Sequence, residues 1–584
     1  MRDPRVILED RLGDRFLLLG NEAVARGAVE AGTHAVTTYP GTPASEVGDT
    51  IAQIANDAKI YMEYSTNEKV ALEVAAGASF AGARSLTAMK MVGLNVASDT
   101  LISLAYTGVK GGLVIVAADD PDCFSSQNEQ DSRYYALLAN IPCLEPSNSQ
   151  EAKDMLLSAF EISEKLKLPV MLRMATRVSH TRGIVTFGPI RREKTDSFVR
   201  DPKGLVLVPE NARKQHKVLL EKMDLAAGIS ENSRHNRVAG KGPVGLVTSG
   251  VSYSYCVEAL QMIGVRARIL KIGMVNPLPV KRIRRFLQNL RRVVVVEELE
   301  PILEAQVKAI VGDMGKRVEV CGKEAGFFPR YGEFSTWVVA AGLSRILGKT
   351  LPSDYDKNFR KAAEIGRSIP PRPPVLCPGC PHIASFRAIR LATEGKAIVA
   401  TDIGCYTLGY QPPLSVGDIM LCMGASVGLA AGISKFADSP VVGVVGDSTF
   451  FHAAIPGLIN AAYNNHRFVY VVLDNLTTAM TGHQPHPGTG TTATGTASKR
   501  ILIEDVAKAC GIEYVRVIDP FEHRAAVSTL REAIRQNGPA VVIFRRACAQ
   551  IKTPLETLGE RKSSELDTGN SAMREVTSSS SRCP

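Results

Sequence analysis

The chain has 584 residues, a net charge of +10, 22% charged and 45% hydrophobic residues, and near-zero mean hydropathy. That length suits roughly three or four globular domains, and the composition excludes a disordered or fibrous chain. No run of about 18 uncharged apolar residues occurs, so no membrane span is predicted. The charged stretch 1–16 lacks the apolar core of a signal peptide, which predicts a cytoplasmic protein. The basic excess gathers at 191–200 and 281–292 without interleaved aromatics. It points to solvated faces or an acidic electron-transfer partner, not to nucleic acid.

In chain order, residues 1–190 alternate strand and helix signals. Strand 16–20 is followed by helix 21–31, strand 36–39, the turn Pro40-Gly41-Thr42-Pro43, helix 68–81 and apolar strands 112–118 and 168–174. Residues 191–240 are charged and weakly periodic, and read as a linker or extended arm. The rhythm restarts over 241–350, with strands 244–248, 268–271 and 293–297 and helices 255–263 and 280–290. Residues 351–374 read as a linker ending in a proline-dense stretch, since prolines disrupt helices and central strands alike. Residues 375–552 form the next block, with a strand at 540–544, and 553–584 read as a disordered tail. Val-rich strands between helices predict an α/β, multidomain chain with helix-covered parallel sheets.

Strand 441–445 ends in Gly446-Asp447-Ser448, and strand 468–473 ends in Asp474-Asn475, with helix 455–464 between them. An Asp and an Asn at neighbouring strand ends put oxygen ligands at the carboxyl edge of a sheet, where open α/β folds bind ligands. Oxygen donors suit Mg²⁺ carrying a diphosphate. Either half alone is an ordinary strand end; together they resemble the signature of thiamine diphosphate (ThDP) enzymes.

Eleven cysteines without a secretory signal argue against a disulfide framework. Cys377 and Cys380 form a CxxC, with a lone Cys405 further on. A zinc ribbon wants a second close CxxC, and a thioredoxin-like pair wants no third cysteine. Spacing alone leaves an iron–sulfur cluster as one reading among these. Cys123, Cys143, Cys256, Cys321, Cys422 and Cys510 stand apart and read as buried or surface thiols. Glu68 and Glu73 both lie on helix 68–81, and on residues alone a solvated face explains either equally.

Several longer motifs occur in one order: Tyr39-Pro40-Gly41-Thr42-Pro43, Asn67-Glu68-Lys69-Val70, the block 120–131, Cys377-Pro378-Gly379-Cys380-Pro381-His382, 446–448 and 478–488. Over about 16–550 they resemble the α subunit of indolepyruvate:ferredoxin oxidoreductases, within the ThDP-dependent 2-oxoacid:ferredoxin oxidoreductases. The resemblance implies a pyrimidine-binding domain, a transketolase-C-like middle domain and a diphosphate-binding domain. It implies Glu68 as the carboxylate that activates the aminopyrimidine, general acid–base work at a positioned group. Gly446, Asp447, Ser448, Asn475 and Thr477 would hold the cofactor, with Mg²⁺ on Asp447, Asn475 and the Thr477 carbonyl.

The same resemblance implies Thr42 beside the reacting carbon and one [4Fe–4S] cluster on Cys377, Cys380, Cys405 and Cys548. His483 and His486 lie in the following loop, where a histidine that protonates or orients the 2-oxo group would sit; His483 is the catalytic candidate. His382 is read as a residue that tunes the cluster. The implied reaction is oxidative decarboxylation of aryl 2-oxoacids to acyl-CoA, with a smaller β subunit and with ferredoxin or another acceptor as partners. Family members carry a further ferredoxin-like domain, whose cysteine runs this sequence lacks. A non-oxidative decarboxylase is the alternative, and four cluster cysteines count against it.

Overall fold

The computed structural model describes residues 3–191, 195–370 and 372–551. The predicted tail 553–584 lies outside the described residues. Among those described, no helix is long and apolar enough to cross a membrane.

Three sheets organise the chain. The first has seven strands in the order Met274–Asn276, Cys143–Leu144, Val170–Ala175, Leu113–Asp119, Ser85–Lys90, Ala35–Thr38 and Tyr61–Tyr64. All its pairs are parallel except the edge pair formed by Met274–Asn276. The second runs Glu319–Cys321, Arg292–Val296, Val244–Ser249, Ala267–Ile272 and Arg237–Ala239, the last strand antiparallel. The third is wholly parallel: Ile398–Ala400, Val441–Gly446, Val469–Asp474, Ala540–Arg545 and Tyr514–Ile518. Every residue of Val441–Gly446 and Val469–Asp474 is buried. Central parallel strands covered on both faces read as continuous Val-rich runs for this reason. The α/β reading of the sequence holds.

Four expectations on organisation change. The strand predicted at 16–20 is Arg15–Leu19, and it joins Arg182–Thr186 in a separate antiparallel ribbon. The supposed arm 191–240 contains the helix Pro209–Asn232 and the strand Arg237–Ala239 of the second sheet. That helix buries only Leu219, Ala226 and Ser230, a stripe too narrow to show as periodicity in a charged sequence. The supposed linker 351–374 is largely the helix Ser353–Ser368. Finally, Met274–Asn276 completes the first sheet from outside residues 1–190, an edge pairing that local pattern does not encode.

Buried ion pairs lie where the first two sheets meet. Arg173 pairs with Asp119 at 2.7 Å and with Glu145, while Arg133 pairs with Asp131 at 2.5 Å and Glu297 at 2.6 Å. In parallel sheets every strand points its carboxyl end the same way, so loops carrying function collect at one edge. The carboxyl edges of the first and third sheets meet: Tyr39 Oη lies 2.9 Å from Ser448 Oγ.

Candidate active site

A cavity of about 200 Å³ opens between these two edges. The first sheet supplies Tyr39, Gly41, Thr42, Glu68 and Lys90; the third supplies Cys405, Gly446, Asp447, Ser448, Asn475 and Thr477. Glu68, Thr42, Asp447, Asn475, Thr477 and Cys405 are thus brought together from distant parts of the sequence.

Glu68 opens the helix Glu68–Phe80, whose N-cap Asn67 accepts from Val70 N at 2.9 Å. The carboxylate is 4% exposed and sits 2.7 Å from His452 Nε2. A Cβ at Gly93 would lie 2.5 Å from the Glu68 side chain, so only glycine leaves room for this carboxylate. Glu73 is half-exposed and pairs with Lys69 on the surface. The geometry therefore separates two glutamates that the residues alone left equal.

His452 lies on the π-helical turn Phe450–Ala454, and such turns re-aim side chains at functional sites. Asn67 Nδ2 donates to the His452 carbonyl at 3.0 Å, and Tyr39 packs edge-on against the imidazole with centroids 4.7 Å apart. His452 Nδ1 is buried without a hydrogen-bond partner. Burial raises the Tyr39 phenol, opposed by its bond to Ser448 and reinforced by Glu68 and Asp447, so it stays neutral.

Asp447 and Asn475 share one amide: Thr477 N lies 3.3 Å from Asp447 Oδ2 and 3.3 Å from Asn475 Oδ1. His486 Nε2 approaches Asp447 Oδ2 at 3.2 Å, out of line for a hydrogen bond. Burial pushes the Asp447 carboxyl up, but His486 and the Ser448 amide outweigh it and hold it below its ordinary value. An ionised carboxylate, an amide oxygen and a main-chain carbonyl form the hard donor set that Mg²⁺–diphosphate takes. Cβ atoms at Gly404 and Gly446 would meet the Tyr406 ring at 2.4 and 2.5 Å, so both glycines make room for that ring beside the cavity. These residues fit the cofactor.

Among the described residues, no three His, Cys, Asp or Glu side chains converge on a single-ion site. The four cysteines nevertheless form one corner. Cys377 and Cys380 precede the helix Pro381–Ala392, Cys405 opens the turn Cys405–Tyr410, and Cys548 follows the strand Ala540–Arg545. Cys548 N donates to the Asn475 carbonyl at 3.0 Å, tying this corner to the Asp447 loop. Gly379, in the CxxC turn, faces Ala549. Burial, then the charges of Cys380, Cys548 and Cys377, push the Cys405 thiol up to about 11. Four thiols that repel one another as thiolates, all free of disulfides, fit a group that brings positive iron among them.

One histidine reading is corrected and one is refined. His483 is exposed, in a left-handed conformation (φ 67°), and is not part of the cavity wall. Gln484 and His486 are buried instead, also outside the cavity wall. Gln484 donates to Asp49 at 3.0 Å. His382 turns its ring toward Asn475, at 3.5 Å, and only its main-chain N–H faces the Cys380 sulfur. Burial lowers its pKa to about 4, against a smaller opposing effect of Asp447, so the imidazole is neutral. Lys90 was missed as a site residue, because a strand-end lysine carries no motif.

The fold and cavity define a ThDP enzyme built from two facing α/β units. Family models match in chain order: "Pyruvate flavodoxin/ferredoxin oxidoreductase, thiamine diP-bdg" over 26–230, "Indolepyruvate oxidoreductase domain" over 235–363, and "Thiamine pyrophosphate enzyme, C-terminal TPP binding domain" over 402–544. Indolepyruvate oxidoreductase subunit IorA of Archaeoglobus fulgidus is 46% identical over 93% of this chain and 88% of its own length. That of Methanothermobacter marburgensis is 47% identical, with the same coverage. A solved 2-oxoglutarate:ferredoxin oxidoreductase from Magnetococcus marinus aligns with a TM-score of 0.46 at 16% identity, over 57% of this chain and 65% of that one. The chain belongs to the IorA family of indolepyruvate oxidoreductase subunits, within the ThDP-dependent 2-oxoacid:ferredoxin oxidoreductases.

Proposed function

We propose that this chain is the catalytic subunit of an enzyme that oxidatively decarboxylates aryl 2-oxoacids of the indolepyruvate type to acyl-CoA. A smaller β subunit completes it, and ferredoxin or another acceptor takes the electrons. The observation that carries this reading is a single cavity wall holding Glu68, Asp447, Asn475 and Cys405. ThDP, when bound, supplies the carbon nucleophile and electron sink that let a 2-oxoacid lose CO₂. Asp447, Asn475 and the Thr477 carbonyl hold its Mg²⁺–diphosphate, and Glu68 holds and returns a proton at the aminopyrimidine. His452 fixes Glu68 from behind, since it bonds the carboxylate but does not line the cavity. Thr42 stands on the opposite lip for the substrate.

Cys377, Cys380, Cys405 and Cys548 hold one [4Fe–4S] cluster beside the cofactor. These thiols favour oxidation over simple decarboxylation, because a lyase has no use for an electron carrier at this wall. The test is anaerobic co-purification with the β-type partner, followed by iron, sulfide and ThDP analysis and assay with phenylpyruvate, CoA and an acceptor. Acyl-CoA formation with about four irons per chain is expected. Stoichiometric aldehyde release without iron would replace this function with the decarboxylase.

A further inference from the structure

Glu68 and Asp447 have roles in the cavity; Lys90 has none yet. It ends the strand Ser85–Lys90 and, among the described residues, is the only lysine or arginine in the cavity wall. It is 8% exposed. A Cβ at Gly41 would lie 3.0 Å from Lys90 Cβ, so its stem runs along the turn that carries Thr42. Ser125 joins the same corner, its hydroxyl donating to the Thr42 carbonyl at 3.1 Å.

An ammonium has three N–H donors. Among the described residues one is taken, by the Ser125 carbonyl. Asp120 acts on Lys90 through space, but its carboxylate is already bound by Ser125 N, Ser126 Oγ and Thr176 Oγ1. Burial lowers Lys90 to about 8, with Asp120 and Cys123 opposing, so it remains largely cationic at neutral pH. Keeping a cation in a water-poor wall costs free energy that a complementary anion offsets. The anion-binding groups of the diphosphate end stand on the other sheet, whereas Lys90 stands at the Thr42 lip.

We propose that Lys90 receives the carboxylate of the 2-oxoacid substrate and thereby orients its 2-oxo carbon; this rests on the function proposed above. A lysine suits the step. It is a point charge that attracts the carboxylate without the bidentate clamp of an arginine, and that carboxylate must leave as CO₂.

The test compares Lys90→Met and Lys90→Arg with wild type in the assembled enzyme. Lys90→Met keeps the stem and removes the charge. Loss of a charge-assisted hydrogen bond predicts an increase of about tenfold or more in KM and Kd for phenylpyruvate. Affinity for the uncharged methyl ester of phenylpyruvate, ThDP affinity and KM for CoA should all stay within about twofold. Lys90→Arg should keep KM for phenylpyruvate near wild type.

In wild type, kcat/KM should fall as pH rises past about 8, because free-enzyme Lys90 loses its proton there. Asp120 is held below its ordinary value and Cys123 above its own, so neither mimics that limb. Lys90→Met should lack it. If Lys90→Met does not fold, the wild-type pH dependence of Kd for phenylpyruvate against its ester carries the same comparison. An unchanged KM, an equal loss for acid and ester, or a shift confined to CoA or ThDP overturns the proposal while leaving the function standing. A wild-type complex that turns over no aryl 2-oxoacid removes both.

Discussion

At the edge of the seven-stranded sheet, buried charges arrive with their opposites: Arg173 lies between Asp119 and Glu145, and Arg133 between Asp131 and Glu297. At the facing edge of the third sheet, like-charged groups also stand close together. Asp447 stands near Asp474, whose carboxyl is pushed up to about 6 by burial and then by Asp447, with Arg545 opposing. Close by, burial and then the neighbouring thiols push Cys380 and Cys405 up. The Arg173 and Arg133 network is electrostatically closed, whereas the other edge suits the added cations proposed above. The first should fail by unfolding and the second by failing to load.

Mutations at the two edges sharpen this contrast. Asp447→Ala should abolish ThDP retention, measured as cofactor content after desalting, with the apo-protein's thermal midpoint kept. A variant that binds ThDP normally would remove Asp447 from the metal site. At the other edge, Arg173→Met should leave Asp119 and Glu145 without their cation, at a cost of roughly 3–5 kcal/mol in unfolding free energy. Chemical denaturation reads this; a variant as stable as wild type would mean that the network is not the scaffold described here.

Cys548→Ala should lower iron content and slow acceptor reduction, while Cys256→Ala, buried among Leu246, Ala259 and Leu260, should keep full iron. Equal iron in both variants breaks the four-thiol assignment. The smallest effect is expected at His452. His452→Ala removes the bond to Glu68 and should weaken ThDP-dependent turnover by about tenfold, the equivalent of about 1.4 kcal/mol for one hydrogen bond to a charged group. His452→Gln, which can donate to the same oxygen, should recover much of it. If Ala and Gln behave alike, the imidazole serves packing alone.

Much of the site could be read along the chain because its groups sit at strand ends. A Val-rich run followed by Gly446-Asp447-Ser448, and another followed by Asp474-Asn475, declares a carboxyl edge without further information. The cysteine spacing is likewise local, except for Cys548. What could not be read is what meets across the cleft. His452 finds Glu68 only because a π-helical turn in one unit faces a helix N-terminus in another. His483 and His486 look equivalent in sequence, yet one is exposed in a left-handed conformation and the other is buried against Asp447. The long helix Pro209–Asn232 was hidden by charge, since three buried positions leave little amphipathic signal.

The sequence by itself determined that the chain is α/β, where most of its parallel strands run, and which oxygen-bearing residues stand at two of their ends. Strand propensity, burial and chain direction are properties of short segments. The tertiary structure alone decided which glutamate is enclosed, which histidine supports it, and that one lysine faces the cavity. Those outcomes depend on the approach of two sheets from separate regions of the sequence, and on the few ångströms of space left at Gly93 and Gly41.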